Sequence, residues 1–126
     1  MFKTFVFATG IYDFLLGFAI LLSAILGKQP AVMVMTLMVG AFLIFCGAVL
    51  TWASKNIAQR APVIFWQGMV RVFAVIVIIC GVWGGFANVS SAPMGIIDAI
   101  IAPIYFIGIA RVTGIPAMNV FLGRTA

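Results

Sequence analysis

The sequence predicts an all-α fold, an integral membrane four-helix bundle, and two observations support this prediction. Of the 126 residues, 66% are hydrophobic and 7% are charged, and the mean hydropathy is +1.34, whereas a soluble domain carries about 25% charged residues. The apolar residues are also gathered into four stretches, each near the ~20 residues that cross a hydrocarbon core as a helix. Because a short soluble chain cannot bury so much apolar surface, lipid is the solvent that fits this composition.

The ends of the four predicted spans follow breaks in the apolar pattern. Gly-Lys-Gln-Pro at 27–30, the polar segment 54–61 and Asn-Val-Ser-Ser at 88–91 separate them. We interpret the first span as a retained helix and not a cleaved signal peptide, because Asp13 interrupts its apolar core. The length allows one membrane domain and no separate soluble module. The spans cover about residues 4–26, 31–53, 62–86 and 93–110, and a short tail covers 111–126.

The distribution of basic residues predicts the orientation. An even number of spans places both termini on one side of the membrane. That side holds five basic residues and the opposite side holds only Lys28, so the positive-inside rule places both termini in the cytoplasm of a cell membrane, with a bacterial inner membrane as the expected setting. The five residues are Lys3, Lys55, Arg60, Arg111 and Arg124.

Each predicted helix carries one stripe of small or polar residues, which lets helices in lipid approach closely. The stripes are Gly10, Asp13, Gly17, Ile20, Ala24 and Gly27; Thr36, Gly40, Gly47, Thr51 and Ser54; Gln67, Arg71, Ala74, Ile78 and Gly85; and Gly95, Asp98, Ala102 and Tyr105. Trp52 and Trp66 flank the cytoplasmic loop and are expected to anchor the interface, with Trp83 as their counterpart outside. Residues 118–122 of the tail are expected to lie on the membrane surface.

Three charged residues lie inside the predicted spans, where a charge is normally paired or hydrated and marks a candidate functional site. Asp13 and Arg71 each follow the cytoplasmic end of their span by nine residues, which places both at a depth of about 13 Å. We therefore predict that they pair, with Tyr12 and Gln67 close enough to join the network. Two interpretations remain open: a structural pair that fixes helix register, or the lining of a cavity for a polar headgroup, an anion or a proton.

Asp98 is expected to behave differently. Counted from the outer end of span four, it lies only about 7 Å deep, on a stripe shared with Tyr105. Arg71 is estimated to lie about 10 Å away along the membrane normal. We therefore expect Asp98 to be hydrated in an outer vestibule or protonated, and to be dispensable for folding.

Residues typical of catalysis are missing from the sequence. It contains no histidine and shows no metal-ligand cluster, nucleophile–base set or phosphate loop. We therefore expect no enzymatic activity, no cofactor and no metal. Nucleic-acid binding is not expected, because the basic residues lie singly or in pairs at span ends. Cys46 and Cys80 fall in mid-span and are expected to act as small apolar packing residues.

In layout, the chain resembles the DoxX-like group of small four-span membrane proteins. The resemblance lies in the length, the glycine-rich spans, Ile-Tyr-Asp-Phe-Leu-Leu-Gly at 11–17 and Gln-Gly-Met-Val-Arg at 67–71. It implies a four-helix bundle and an accessory role beside redox or envelope enzymes. Small multidrug resistance transporters are similar in size and have an acidic residue in span one, but that acid is glutamate and they lack a mid-span arginine.

Two hypotheses about function follow. The first is a non-enzymatic accessory subunit or lipid-binding module, whose partners are membrane lipid and another membrane protein or further copies of the chain. It depends on the absence of catalytic residues and on the short loops. The alternative is a small oligomeric transporter or channel, in which Asp13, Arg71 and Asp98 form an ion or proton path.

Overall fold

In a computed structural model, which describes residues 1–27 and 30–124, helix is the only regular secondary structure. Four of the helices in this part of the chain are long and apolar enough to cross a membrane. They confirm the all-α fold class and the four predicted spans; the cytoplasmic location of the termini stays a prediction. The helices are α1 (Phe2–Gly27), α2 (Pro30–Ala53), α3 (Ile57–Trp83), α4 (Ala92–Thr113) and a short α5 (Ala117–Phe121), with a 3₁₀ turn at Val89–Ser91.

Helix α3 differs most from its predicted span. It begins at Ile57, so Pro62 lies inside the helix and does not open it. It ends at Trp83 because Gly85 has a φ of +73°, a backbone conformation that favours glycine and breaks the helix. The prediction that Gly85 belongs to the buried stripe of span three is therefore wrong. Lys28, the predicted outer basic residue, lies outside the described residues.

The chain divides into two compact units, residues 1–56 and 57–126. The first unit contains α1 and α2, and the second contains α3, α4 and α5. Each unit has its own helix–helix interface. The organisation of the chain as one domain stays a prediction.

In the first unit, glycines bring the backbones of α1 and α2 into direct contact. A Cβ atom on Gly10 would lie 2.9 Å from the carbonyl oxygen of Gly47, and one on Gly17 would lie 2.6 Å from that of Gly40. The order of these contacts shows that the two helices are antiparallel. The small-residue stripe predicted for α1 is confirmed at four positions, which are buried: Gly10, Asp13, Gly17 and Ala24.

In the second unit, α3 and α4 also pack as an antiparallel pair. Phe106 lies against Gly68, where an added Cβ would be 3.0 Å from the ring, and Ile78 lies against Gly95, where it would be 3.3 Å from a methyl group. The ring of Phe65 meets that of Phe106 edge-on, with centroids 5.1 Å apart. These contacts fix the register of the two helices.

The tail after α4 turns back onto α3. Gly114, with a φ of +65°, ends α4, and the backbone N–H of Ile115 donates to Thr113 Oγ1 at 3.2 Å. In α5, Phe121 packs against Trp66, with ring centroids 4.9 Å apart, and Val120 is buried. The segment predicted to lie on the membrane surface is therefore a helix that is docked on α3.

Candidate functional site

The polar site of the second unit is an ion pair between α3 and α4. Arg71 Nη1 donates a hydrogen bond to Asp98 Oδ1. The side chains are 8% and 20% exposed, respectively. Both residues lie inside apolar helices of membrane-spanning length, so the opposite charges lower the cost that either would have alone in lipid.

This pair corrects the prediction that Asp98 has no basic partner at its own depth. The contacts of Gly68 with Phe106 and of Gly95 with Ile78 set Arg71 level with Ala102. Asp98 is thus about one helical turn, or 5.4 Å, from the level of Arg71, which an arginine side chain can span. The larger predicted separation was counted from assumed span ends, whereas packing between the helices sets the actual levels. Asp98 is consequently no longer expected to be dispensable for folding.

Tyr105 completes the site on the other side of Arg71. It lies seven residues after Asp98, two turns along the same face of α4, and is fully buried. The guanidinium carbon of Arg71 is 5.8 Å from the centre of the Tyr105 ring. At that distance the electron-rich face of the ring attracts the cation. Arg71 is therefore held between a carboxylate and an aromatic ring.

The other predicted site residues lie elsewhere. Gln67 is half-buried, one turn before Arg71 on α3. In the first unit, Asp13 is 2% exposed on the glycine stripe of α1, while Tyr12 next to it is 38% exposed. The predicted pairing of Asp13 with Arg71 joins residues of different units and stays a prediction. Among the described residues, no three His, Cys, Asp or Glu side chains come together as a metal site would require.

Sequence reasoning missed an apolar groove between α3 and α4. Its volume is about 410 Å³. Small residues of α4 at positions 92, 95 and 99 recur at the spacing of one helix face and make room for it, which is the signal that the sequence offered. The groove is lined by Val75, Ile78, Ile79, Val82, Trp83, Ala92, Gly95, Ile96 and Ala99.

The groove ends beside the ion pair. Ala99 directly follows Asp98 in α4, and Val75 is one turn beyond Arg71 in α3. At its other end lies Trp83, the last residue of α3, which is 88% exposed. The second unit thus has an apolar groove, and the Arg71–Asp98 pair lies next to the end of the groove formed by Val75 and Ala99.

Two smaller depressions lie in the first unit. One, of about 240 Å³, includes Ser23 and Thr36, whose hydroxyl groups donate to carbonyl oxygens of their own helices at 2.8 and 2.9 Å. The other, of about 350 Å³, is lined partly by Trp52 and Lys55. The hydroxyl groups of Ser23 and Thr36 are thus engaged within their helices, and both depressions are smaller than the groove between α3 and α4.

Comparisons with known proteins bring no relative: the chain matches no protein-family model, no curated protein and no solved structure.

Proposed function

We propose that the protein is a non-enzymatic multi-pass membrane module that binds one lipid in the groove between α3 and α4. The observation that carries the proposal is the groove itself: about 410 Å³ of space bordered by apolar side chains in helices of membrane-spanning length. Ligand pockets usually have volumes of about 300–1,000 Å³ and mostly apolar walls. A flexible acyl chain fits a groove of this volume and polarity.

The Arg71–Asp98 pair has a structural part in this proposal. It fixes the register of α3 and α4, and that register brings the small residues Ala92, Gly95 and Ala99 opposite α3. The pair is electrically balanced, so the neighbouring groove carries no net charge from it. The end of the groove beside this pair therefore suits an uncharged acyl chain.

An accessory role beside a larger membrane enzyme is the finer form of the proposal, in line with the resemblance to DoxX-like proteins. A bound lipid could then occupy the contact between this protein and its partner helices. Exposed apolar residues on the outer faces of α3 and α4, such as Phe73, Ile76 and Ile100, supply surface for such a partner. Co-purification in mild detergent with a larger membrane complex is the expected result.

Filling the groove tests lipid binding. Ala99 is exposed and lines the groove, so Ala99→Phe should occupy it without disturbing the contacts of Gly68 and Gly95. Ala110→Phe is the matched control, because Ala110 is exposed on the same helix outside the groove. Native mass spectrometry of protein purified in mild detergent should show one retained lipid in the wild type and in Ala110→Phe, and none in Ala99→Phe. Equal lipid retention in all three proteins contradicts the proposal.

A transporter or channel is the second candidate function, and the burial of Asp13 favours it. This carboxyl group is 2% exposed within an apolar helix of membrane-spanning length, a position that is common in proton and ion paths. Ion or proton flux into proteoliposomes that disappears with Asp13→Asn supports this function. Flux indistinguishable from that of empty liposomes rules it out.

A further inference from the structure

We propose that the first unit binds one anionic phospholipid between α1 and α2, with the acyl chain in the depression beside Trp52 and the phosphate between Lys3 and Lys55. This depression, called the α1–α2 groove below, belongs to the first unit alone, so the site does not depend on lipid binding between α3 and α4. Three observations support it: the shape of the groove, the chemistry of its wall, and the levels of the two lysines.

The α1–α2 groove has the size and direction that an acyl chain requires. Its volume is about 350 Å³, within the usual range of about 300–1,000 Å³ for ligand pockets. The α2 wall consists of positions 48, 51, 52 and 55, which recur at the spacing of one helix face and extend over about 10 Å along the axis. The groove is lined by Ile11, Phe14, Ala48, Thr51, Trp52 and Lys55.

The wall of the groove is apolar except at one end. Ile11, Phe14 and Trp52 are 39%, 40% and 50% exposed, so their side chains border the groove and remain accessible. The hydroxyl group of Thr51 donates to the carbonyl oxygen of Gly47 at 2.8 Å and is thus used within α2. The groove therefore combines apolar surface for an acyl chain with the ammonium group of the lysine at position 55.

The packing of α1 against α2 brings a second lysine to the same end. A Cβ atom on Gly10 would lie 2.9 Å from the carbonyl oxygen of Gly47 and 2.8 Å from Thr51 Oγ1, so residue 10 lies level with about residue 49. Because the two helices are antiparallel, Lys55 lies level with about residue 4 of α1. Lys3 is therefore at the same level as Lys55.

Lys3 also lies on the face of α1 that forms the groove. Phe14, which lines the groove, follows Lys3 by eleven residues, close to three full helical turns. Asp13, the acidic residue of this unit, is ten residues from Lys3, about 15 Å along the axis. Lys3 and Lys55 are both exposed. Hydrogen bonds from lysine to phosphate are charge-assisted, so two lysines at one end suit a phosphate group.

The order of groups along the groove matches the order of groups in a phospholipid. Lys55 comes first, Trp52 lies three residues deeper, and Ala48 lies a further turn into the apolar part of α2. Tryptophan is enriched at the membrane–water boundary, between headgroups and acyl chains. A soluble anion would use the lysines and leave the apolar wall without a partner, whereas a phospholipid uses both.

Trp52 serves as the reporter in the test, because its ring borders the groove. The full chain with Trp66→Phe and Trp83→Phe is reconstituted into vesicles of phosphatidylglycerol and phosphatidylcholine in equal amounts. Either one lipid or the other carries bromine on its acyl chains, since bromine quenches nearby tryptophan. One lysine near an anionic surface contributes about fivefold in association. We expect Trp52 to show a preference for phosphatidylglycerol of at least about fivefold, which falls to about one in Lys3→Gln/Lys55→Gln.

Matched controls separate the groove from diffuse attraction to lysine. Arg111→Gln/Arg124→Gln removes the same amount of charge from the second unit and should keep the preference. Ala48→Phe fills the groove and leaves both lysines in place, so the preference should fall to about one. Ala8→Phe adds the same ring at an exposed position of α1 outside the groove and should keep it.

Equal quenching by the two lipids in the reporter protein overturns the proposal. A preference that survives the lysine substitutions or Ala48→Phe, or that is lost in either control, also overturns it. So does a preference abolished by inorganic phosphate at matched ionic strength, because the lysines then bind a soluble anion. If the reporter protein fails to fold, electron paramagnetic resonance of spin-labelled forms of the two lipids gives the same comparison for the unmodified chain and for Lys3→Gln/Lys55→Gln. Equal amounts of immobilised phosphatidylglycerol in these two proteins contradict the site.

Discussion

At the scale of single residues, the Arg71–Asp98 pair gives the sharpest prediction. Arg71→Leu or Asp98→Leu alone deprives the remaining charge of this ion pair within an apolar helix, and removing one partner of a buried pair costs about 3–5 kcal/mol. The double substitution removes both charges and should recover much of this loss. Unfolding in mixed detergent micelles, followed by circular dichroism, measures the three free energies.

The same cycle carried out with Asp13 tests the other predicted pair. Arg71→Leu and Asp13→Leu should show a coupling energy close to zero if Asp98 is the main partner of Arg71. Additive losses for Arg71 and Asp98, together with strong coupling between Arg71 and Asp13, would contradict the pairing seen in α3 and α4.

The sequence was sufficient to identify Arg71 and Asp98 as candidate site residues but not to predict the contact between them. A charged residue in an apolar stretch is visible directly, which identified Arg71 and Asp98, and Tyr105 was identified by its place on the same stripe as Asp98. Pairing needs atoms within about 4 Å, whereas depth was counted from the ends of the spans. Because α3 begins at Ile57 and not at residue 62, the assumed end was off by five residues, or about 7.5 Å. An error of that size is enough to miss the contact between Arg71 and Asp98.

At the scale of helices, the contact between α1 and α2 predicts which glycines are essential. A methyl group on Gly17 would lie 2.6 Å from the backbone oxygen of Gly40, with no flexible side chain to move aside. Gly17→Ala should therefore force the helices apart and cost about 1–3 kcal/mol. Gly27→Ala is the control, because no described residue outside its own stretch of helix lies within 4 Å of the added atom. Equal unfolding free energies for the two variants in a detergent titration would show that the backbones are not in contact.

The helices themselves were easier to predict than the surfaces between them. Apolar length and the spacing of small residues are local properties, so the spans and the stripe of α1 followed from the sequence. The groove between α3 and α4 and the docking of α5 depend on which residues face each other across helices. The contacts of Ile78 with Gly95 and of Phe121 with Trp66 join positions that are far apart in the chain, and no local pattern specifies them.

At the scale of the whole molecule, the orientation in the membrane is a prediction that depends on the distribution of basic residues. If each of the four helices of membrane-spanning length crosses the membrane, both termini lie on one side. Lys3, Lys55, Arg60, Arg111 and Arg124 belong to that predicted side, and only Lys28 to the other. Basic residues in short loops resist translocation, so this imbalance predicts cytoplasmic termini.

Reporter fusions test on which side of the membrane the termini lie. An enzyme that is active only outside the cytoplasm should be silent when fused after Ala126 and active when inserted at Gln29. A second reporter, active only in the cytoplasm, should show the opposite pattern. Replacing Lys3, Lys55 and Arg60 with Gln while adding lysines beside Lys28 should shift part of the population to the reversed orientation, since the imbalance is its cause. Activity of the first reporter after Ala126 in the unmodified chain would show that the C-terminus lies outside the cytoplasm and would contradict the predicted orientation.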